Sequence, residues 1–228
     1  MKIAEVDRLL DPKPMALEMG YERLDDGTIH LAVRTDMHRC TGEMLTWWFR
    51  HHINTQQYIW WHPVDHVSST RIEGTPDTHI GSIHKVEEFF TGMPMMQLLI
   101  QFRDPLEFFS REAYEQACQD KKISAAICAR SGRSWEAPRD ADGRMLGNRL
   151  FHIARDTDWG CVLRSHFFMG ADLHLQGKSA DEICKLVSVE AAEALLQHCY
   201  NEFTFLSRFL PSLYIGENRE TIPVKLPF

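Results

Sequence analysis

The sequence predicts an α+β domain in which a curved antiparallel sheet grips one long C-terminal helix. Strand-like segments recur along the chain between turn residues, roughly seven in all. The last strong element, from about Ser188 to Leu210, is rich in helix formers and apolar around its circumference, the mark of a buried helix. With 228 residues, 44% hydrophobic and 25% charged, the chain carries enough apolar material for one large core.

The elements follow in order. Leu10 to Pro14 (L-D-P-K-P) reads as an irregular lead-in. Ala16 to Arg23 and Thr28 to Arg34 flank the turn signal Asp25-Asp26-Gly27, and Ile29, Leu31 and Val33 alternate, which predicts a hairpin with one buried face. Thr41 is the expected N-cap of a helix through about His52, with Met44, Leu45, Trp48 and Phe49 as its apolar stripe. Gln57 to Val67, broken by Pro63, reads as a structured loop. Strand character returns at Ile80 to Phe90, Met95 to Arg103, Ile123 to Arg130, Gly147 to Asp156 and Gly160 to Leu173, with a helix over Leu106 to Gln119 between them. Ser131 to Gly143, rich in Gly, Pro, Arg and Asp, is expected as a long hairpin loop. Ser179-x-x-Glu182 is a capping box opening a short helix, and Pro211 is expected to stop the final one. Residues 1–57 form, on this reading, a small N-terminal hairpin-and-helix part packed on a main domain of 58–228.

Composition excludes some functions. The formal charge is −7 and no Lys/Arg-rich run occurs, which argues against nucleic acid as the partner. Cys40, Cys118, Cys128, Cys161, Cys184 and Cys199 form no C-x-x-C pair, so neither a thiolate zinc site nor a redox motif is expected. The first residues are acidic where a secretory signal needs an apolar stretch, and no run approaches the roughly 18 apolar residues of a membrane helix. A cytoplasmic protein with reduced thiols and no membrane partner is the expectation. Trp47, Trp48 and Phe49 are expected in the core; were they exposed, they would offer a homodimer surface.

Three ambiguous features carry chemistry if they converge. His198 and Glu202 lie four apart on the final helix, so both project from one face. On a surface helix such a pair is an ordinary polar contact; among Leu195, Leu196, Phe203, Phe205 and Leu206 it needs a partner. Residues 58–66, Y-I-W-W-H-P-V-D-H, place two histidines around a proline-stiffened turn, either as metal ligands or beside an aromatic plug of Trp60 and Trp61. In the strand Ile80 to Phe90, His84, Val86 and Glu88 share one face; Glu88 points into a cavity or joins Glu87 in a solvated pair.

The blocks M-L-T-W-W-F-R-H (44–51), Y-I-W-W-H-P-V-D-H (58–66), I-H-K-V-E-E (83–88), R-S-H-F-F-M-G (164–170) and H-C-Y-N-E-F-T-F-L-S-R-F-L-P-S-L-Y (198–214) resemble the diacetylphloroglucinol hydrolase and phloretin hydrolase family. The resemblance runs in order over most of the chain. It implies a Bet v1-like helix-grip fold whose 58–228 part is the catalytic domain. It also implies a catalytic Zn2+ held by His66, Glu88, His198 and Glu202, and hydrolysis of the bond between an acyl carbon and an electron-rich phenol ring. Tyr58 and His152 fall at the family's pocket tyrosine and histidine, and Glu202 or Glu88 is the candidate base. An N2O2 donor set suits zinc and leaves iron and manganese open.

The chain departs from the family pattern in the pocket. Ala171-Asp172 stand where a substrate-binding ring is usual, and Ser69 stands where an amide is usual. The expected substrate is therefore another small phenolic ketone or a β-diketone. Two rivals remain from the residues: a metal-dependent ester or amide hydrolase on the same scaffold, and a non-catalytic carrier of hydrophobic ligands.

Overall fold

In the computed structural model, residues 1–51, 54–90 and 92–221 are described. The strands are β1 (Gly20–Arg23), β2 (Ile29–His38), β3 (His66–Glu73), β4 (Ile83–Glu88), β5 (Met96–Arg103), β6 (Ala125–Gly132), β7 (Asn148–Thr157) and β8 (Gly160–Met169). The helices are α1 (Gly42–His51), α2 (Thr55–Trp61), α3 (Arg111–Gln119), α4 (Ala180–Leu186) and α5 (Val189–Glu217). All eight strands form one antiparallel sheet in the order β1-β2-β8-β7-β6-β5-β4-β3. The α+β sheet-around-helix architecture is as the sequence predicts. Residues 1–57 supply two of its strands, β1 and β2. Among the described residues, no helix is long and apolar enough to cross a membrane.

The middle of the sheet, strands β2, β8, β7 and β6, is buried on both faces, and alternation sorts its side chains. Ile29, Leu31, Val33, Ile127, Leu150 and Phe167 face α5 in the main core. Cys128, Phe151 and Phe168, one residue out of step, face a second cluster closed by Val6, Leu9, Leu10 and Phe109. The Asp25-Asp26-Gly27 turn joins β1 to β2 with Gly27 at φ +84°, and a Cβ there would lie 2.4 Å from the Ala180 carbonyl oxygen. Glycine alone fits both demands.

The structure corrects the expected loop at Gln57 to Val67. Thr55–Trp61 is helical because Asn54 accepts from the Gln57 amide while the Gln57 side chain reaches back to Asn54, a capping box the sequence displays as N-T-Q-Q. His66 then opens β3, an edge strand. The expected end of α1 at His52 lies outside the described residues; Thr41 caps its start, its hydroxyl accepting from the Met44 amide.

Pro211 does not stop the final helix, which runs on to Glu217. A proline strips the donor from the carbonyl four residues earlier, that of Ser207. The Cys40 thiol lies 3.9 Å from that oxygen. Beyond the proline, Leu213 packs on the core, the Tyr214 hydroxyl donates to Glu43 at 2.8 Å, and its ring meets Trp47 edge-on. Tertiary contacts outweigh the local break.

Between the concave face of the sheet and α5 lies a cavity of about 370 Å3. Leu98, Ile100, Leu150, Phe167, Met169 and Leu195 line its shaft, and Tyr58, Glu88, His152, His198 and Glu202 line its inner end.

Candidate functional site

Three local elements hold the side chains that meet at the inner end. His198 and Glu202 project from the buried stripe of α5, 3% and 6% exposed. Glu88, 5% exposed, ends β4 on the face shared with His84 and Val86, so it is no solvated partner of Glu87. His66 sits directly opposite Glu88 in the β3–β4 register. The turn from α2 into β3 delivers it, Tyr58 lying on the helix and His66 eight residues on.

The four side chains converge with one facing atom each. His66 Nε2 lies 3.8 Å from Glu88 Oε2 and 3.7 Å from Glu202 Oε2. His198 Nε2 lies 3.9 Å from Glu88 Oε2 and 4.0 Å from Glu202 Oε2. These separations are too long for hydrogen bonds. A tetrahedral zinc site with bonds of about 2.0–2.1 Å has six edges of roughly 3.4 Å; these four are a few tenths longer. The ligand atoms that all lie within 4.8 Å of one another are those of His66, His198 and Glu202, with Glu88 near both imidazoles but outside that group. His66 Nε2 is buried and has no hydrogen-bond partner. The other nitrogen of each ring is engaged: His66 Nδ1 is 2.8 Å from the Tyr58 carbonyl oxygen, and His198 Nδ1 is 2.9 Å from Asp65 Oδ2. A carbonyl oxygen only accepts, so His66 Nδ1 carries the proton and, in the neutral ring, Nε2 is a bare lone pair aimed at the centre. These residues fit a cation of zinc's kind.

The electrostatics agree. Burial pushes the Glu202 carboxyl up to about 8; His198 opposes the rise and Glu88 adds to it. Burial likewise raises Glu88, and it drives His66 well below the usual imidazole range. Burial also lowers His198, yet the Asp65 hydrogen bond and the Glu88 and Glu202 charges outweigh it, and its net shift is upward. Two buried carboxylates beside two imidazoles form a site short of positive charge.

Around this centre the rings are stacked. Tyr58 lies flat on His66, centroids 3.6 Å apart and planes within 3°, and its hydroxyl donates to Glu88 Oε2. Trp61 meets His66 edge-on at 5.2 Å, and His62 stacks on His198 at 5.0 Å. Burial, followed by the Glu88 charge, holds the Tyr58 phenol well above its ordinary value, so it stays protonated.

The other expected pocket residues divide. His152 lines the cavity between Phe49 and Phe203, its Nδ1 2.8 Å from Ser165 Oγ, and burial lowers it to about 3, so it is a neutral imidazole. Ser69 also lines the cavity, 3.5 Å from His84 Nδ1. Ala171 does not. It belongs to the cluster on the outer face of the sheet, because β8 ends at Met169 and the turn through Gly170 carries it away from the cavity. Its neighbour Asp172 is fully buried and pairs with Arg130 and Arg149. The expectation that Ala171 contacts substrate is corrected accordingly.

Sequence reasoning missed a role for Asp65. Its carboxylate accepts from His198 Nδ1 and faces His62 Nε2 at 3.4 Å, while its amide donates to His62 Nδ1 at 3.0 Å. It stands beside His66 in H-P-V-D-H, but no spacing could pair it with a histidine 133 residues away.

A profile of the DAPG hydrolase PhiG domain matches residues 1–215. The chain is 25% identical to a 2,4-diacetylphloroglucinol hydrolase of a Pseudomonas species over 233 residues, 93% of this chain and 76% of that one. It is 26% identical to the phloretin hydrolase of Eubacterium ramulus over 214 residues, 87% of this chain and 72% of that one. The crystal structure of Ara h 8.0201 superposes with a TM-score of 0.46 at 10% identity, covering 81% of this chain and 99% of that one.

Proposed function

The chain belongs to the DAPG hydrolase PhiG domain family, and from that premise we propose that it is a zinc-dependent hydrolase of a carbon–carbon bond. The bond joins an acyl carbonyl to a carbon of an acylphloroglucinol-like phenol ring or a β-diketone. The observation that carries the reading is the convergence of His66 Nε2, His198 Nε2 and the Oε2 atoms of Glu88 and Glu202 within 3.7–4.0 Å along four edges, with no hydrogen bond between them. When bound there, a zinc ion supplies Lewis acidity that polarises oxygens and acidifies water.

The reaction needs the ring carbon to leave as something better than a bare carbanion. Protonation of that carbon turns the phenol into its keto form, and the acyl group becomes part of a β-diketone. Water adds to the acyl carbonyl, the carbon–carbon bond breaks, and its electron pair passes into the ring enolate. A carboxylic acid and a phenol result, with one water consumed.

The chain's residues divide this work. Tyr58, its proton directed at Glu88, presents an oxygen lone pair that accepts from a phenolic hydroxyl, and the contact gives that proton a path to the carboxylate. His152, neutral and anchored by Ser165, orients a second ring oxygen. Ser69 adds a hydroxyl to the same wall. Glu88 is engaged by Tyr58, whereas the atoms facing Glu202 Oε2 are His66 Nε2 at 3.7 Å and His198 Nε2 at 4.0 Å, beyond hydrogen-bond reach, so Glu202 is the base that takes a proton from the attacking water. The apolar shaft excludes bulk water from the ring.

The test is to incubate zinc-supplemented protein separately with a monoacylphloroglucinol and an aryl ester and to follow acid release. The proposal expects acid and free phenol from the ketone, abolished by a chelator. Cleavage of the ester alone would identify an ester hydrolase. Tight ligand binding without metal or turnover would identify a carrier.

A further inference from the structure

The cavity changes character along its length. Its inner end is buried and carries two carboxylates, Glu88 and Glu202. Its outer end opens between the segment linking β6 to β7 and the end of α4, where Ser131, Arg133, Ser134, Asn148 and Gln176 line it. Arg133 is the one permanently cationic side chain on the cavity wall among the described residues.

Its partners set it apart. Arg130, Arg139, Arg144 and Arg149 come from the same stretch of chain, and each holds a carboxylate: Arg130 those of Glu107 and Asp172, Arg139 that of Glu73, Arg144 that of Asp142, Arg149 that of Asp172. Arg133 has no carboxylate partner among the described residues. One of its Nη atoms donates to the Leu186 carbonyl at 3.2 Å, a neutral acceptor at the last residue of α4. That bond places the guanidinium across the cavity mouth with other N–H groups to spare. In a chain of formal charge −7, an arginine left without a counter-ion beside a ligand cavity stands out.

We propose that Arg133 is a specificity-determining residue that anchors a carboxylate at the end of the substrate remote from the cleaved bond. The ligand class is an acylphenol or β-diketone bearing an acidic substituent on its far end. Position fixes orientation: the cation on the cavity wall stands at the exposed mouth, so it holds the acid group there and the carbonyl goes inward. The inference rests on the reading of the cavity as a substrate site, yet binding tests it apart from turnover.

The experiment uses two probes, an acylphloroglucinol whose acyl chain ends in a carboxylate and the methyl ester of that compound. Affinities are measured by quenching of tryptophan fluorescence, Trp61 being on the cavity wall. In the unmodified protein the acid binds more tightly than the ester, by roughly five-fold as for a partly exposed ion pair. In Arg133→Gln the ratio of the two affinities falls to about one, and Arg133→Lys keeps part of the preference because it keeps the charge. Raising the salt concentration shrinks the ratio in the unmodified protein and leaves it flat in Arg133→Gln. An acid bound no better than its ester, or a preference that survives Arg133→Gln, overturns the proposal. Acid release in the same samples reports separately on carbon–carbon cleavage: tight, Arg133-dependent binding without turnover would sink the hydrolase reading and leave the anchor standing.

Discussion

On the proposed metal site, replacing Asp65 by alanine should weaken zinc binding without touching any of the four facing side chains. The carboxylate is 4% exposed, accepts from His198 Nδ1 at 2.9 Å and faces His62 Nε2 at 3.4 Å. Truncation leaves the His198 Nδ1–H buried without an acceptor, which costs about 1–3 kcal/mol. It also frees the ring to rotate and removes the charge that raises the basicity of the metal-facing nitrogen. Losses of this kind lower metal affinity by roughly 10- to 100-fold. Asp65→Asn keeps an accepting oxygen and loses the charge, so it should fall between alanine and the parent. Competition with a chromophoric chelator measures zinc affinity, and urea unfolding of the metal-free protein measures the stability cost. A folded Asp65→Ala protein with the parent's zinc affinity would refute the reasoning.

Burial depresses His30, His79 and His84 to about 4, and His152 and His166 to about 3. Each is lowered below its unfolded value near 6.5, so the stability each contributes is present above pH ~6.5 and is lost as pH falls toward the folded value. Urea midpoints should therefore drop steeply between pH 6.5 and about 4, with several protons taken up per molecule unfolded; a flat profile there would contradict the burial of these rings. Phe203, fully buried between Trp61 and His152, should cost about 3–5 kcal/mol as alanine, read from the unfolding free energy. Pro211→Ala restores a donor to the Ser207 carbonyl and should stabilise the fold by about 1–2 kcal/mol; destabilisation would mean the helix depends on the proline.

Much of the architecture was legible because local and global signals agreed. Asp25-Asp26-Gly27 marked a hairpin, Ser179-x-x-Glu182 a helix start, and the apolar circumference of α5 its burial. His198 and Glu202 were readable as a pair because helix periodicity puts them together, and Glu88 because strand alternation puts it with His84 and Val86. Other features were hidden for identifiable reasons. The α2 capping box was present in N-T-Q-Q but was masked by the aromatic and proline content that follows. β3 reads as polar, S-S-T-R, because it is an edge strand with few buried positions. Pro211 misled because the groups that carry α5 past it, Cys40 and Trp47, lie far off in sequence. Ala171 was misplaced since alternation cannot be followed through the turn at Gly170. Asp65 had no signal at all, its partner being fixed by the packing of α5 against the turn before β3.

The proposed chemistry depends most on one cation between His66, Glu88, His198 and Glu202. X-ray absorption at the zinc edge, with metal counted in the same sample, tests it directly. The prediction is a single zinc ion per chain bound by two imidazole nitrogens and carboxylate oxygens at about 2.0–2.2 Å, with imidazole scattering halved in His66→Ala. Sulfur in the coordination shell, or purified protein that takes up no stoichiometric metal, would contradict it.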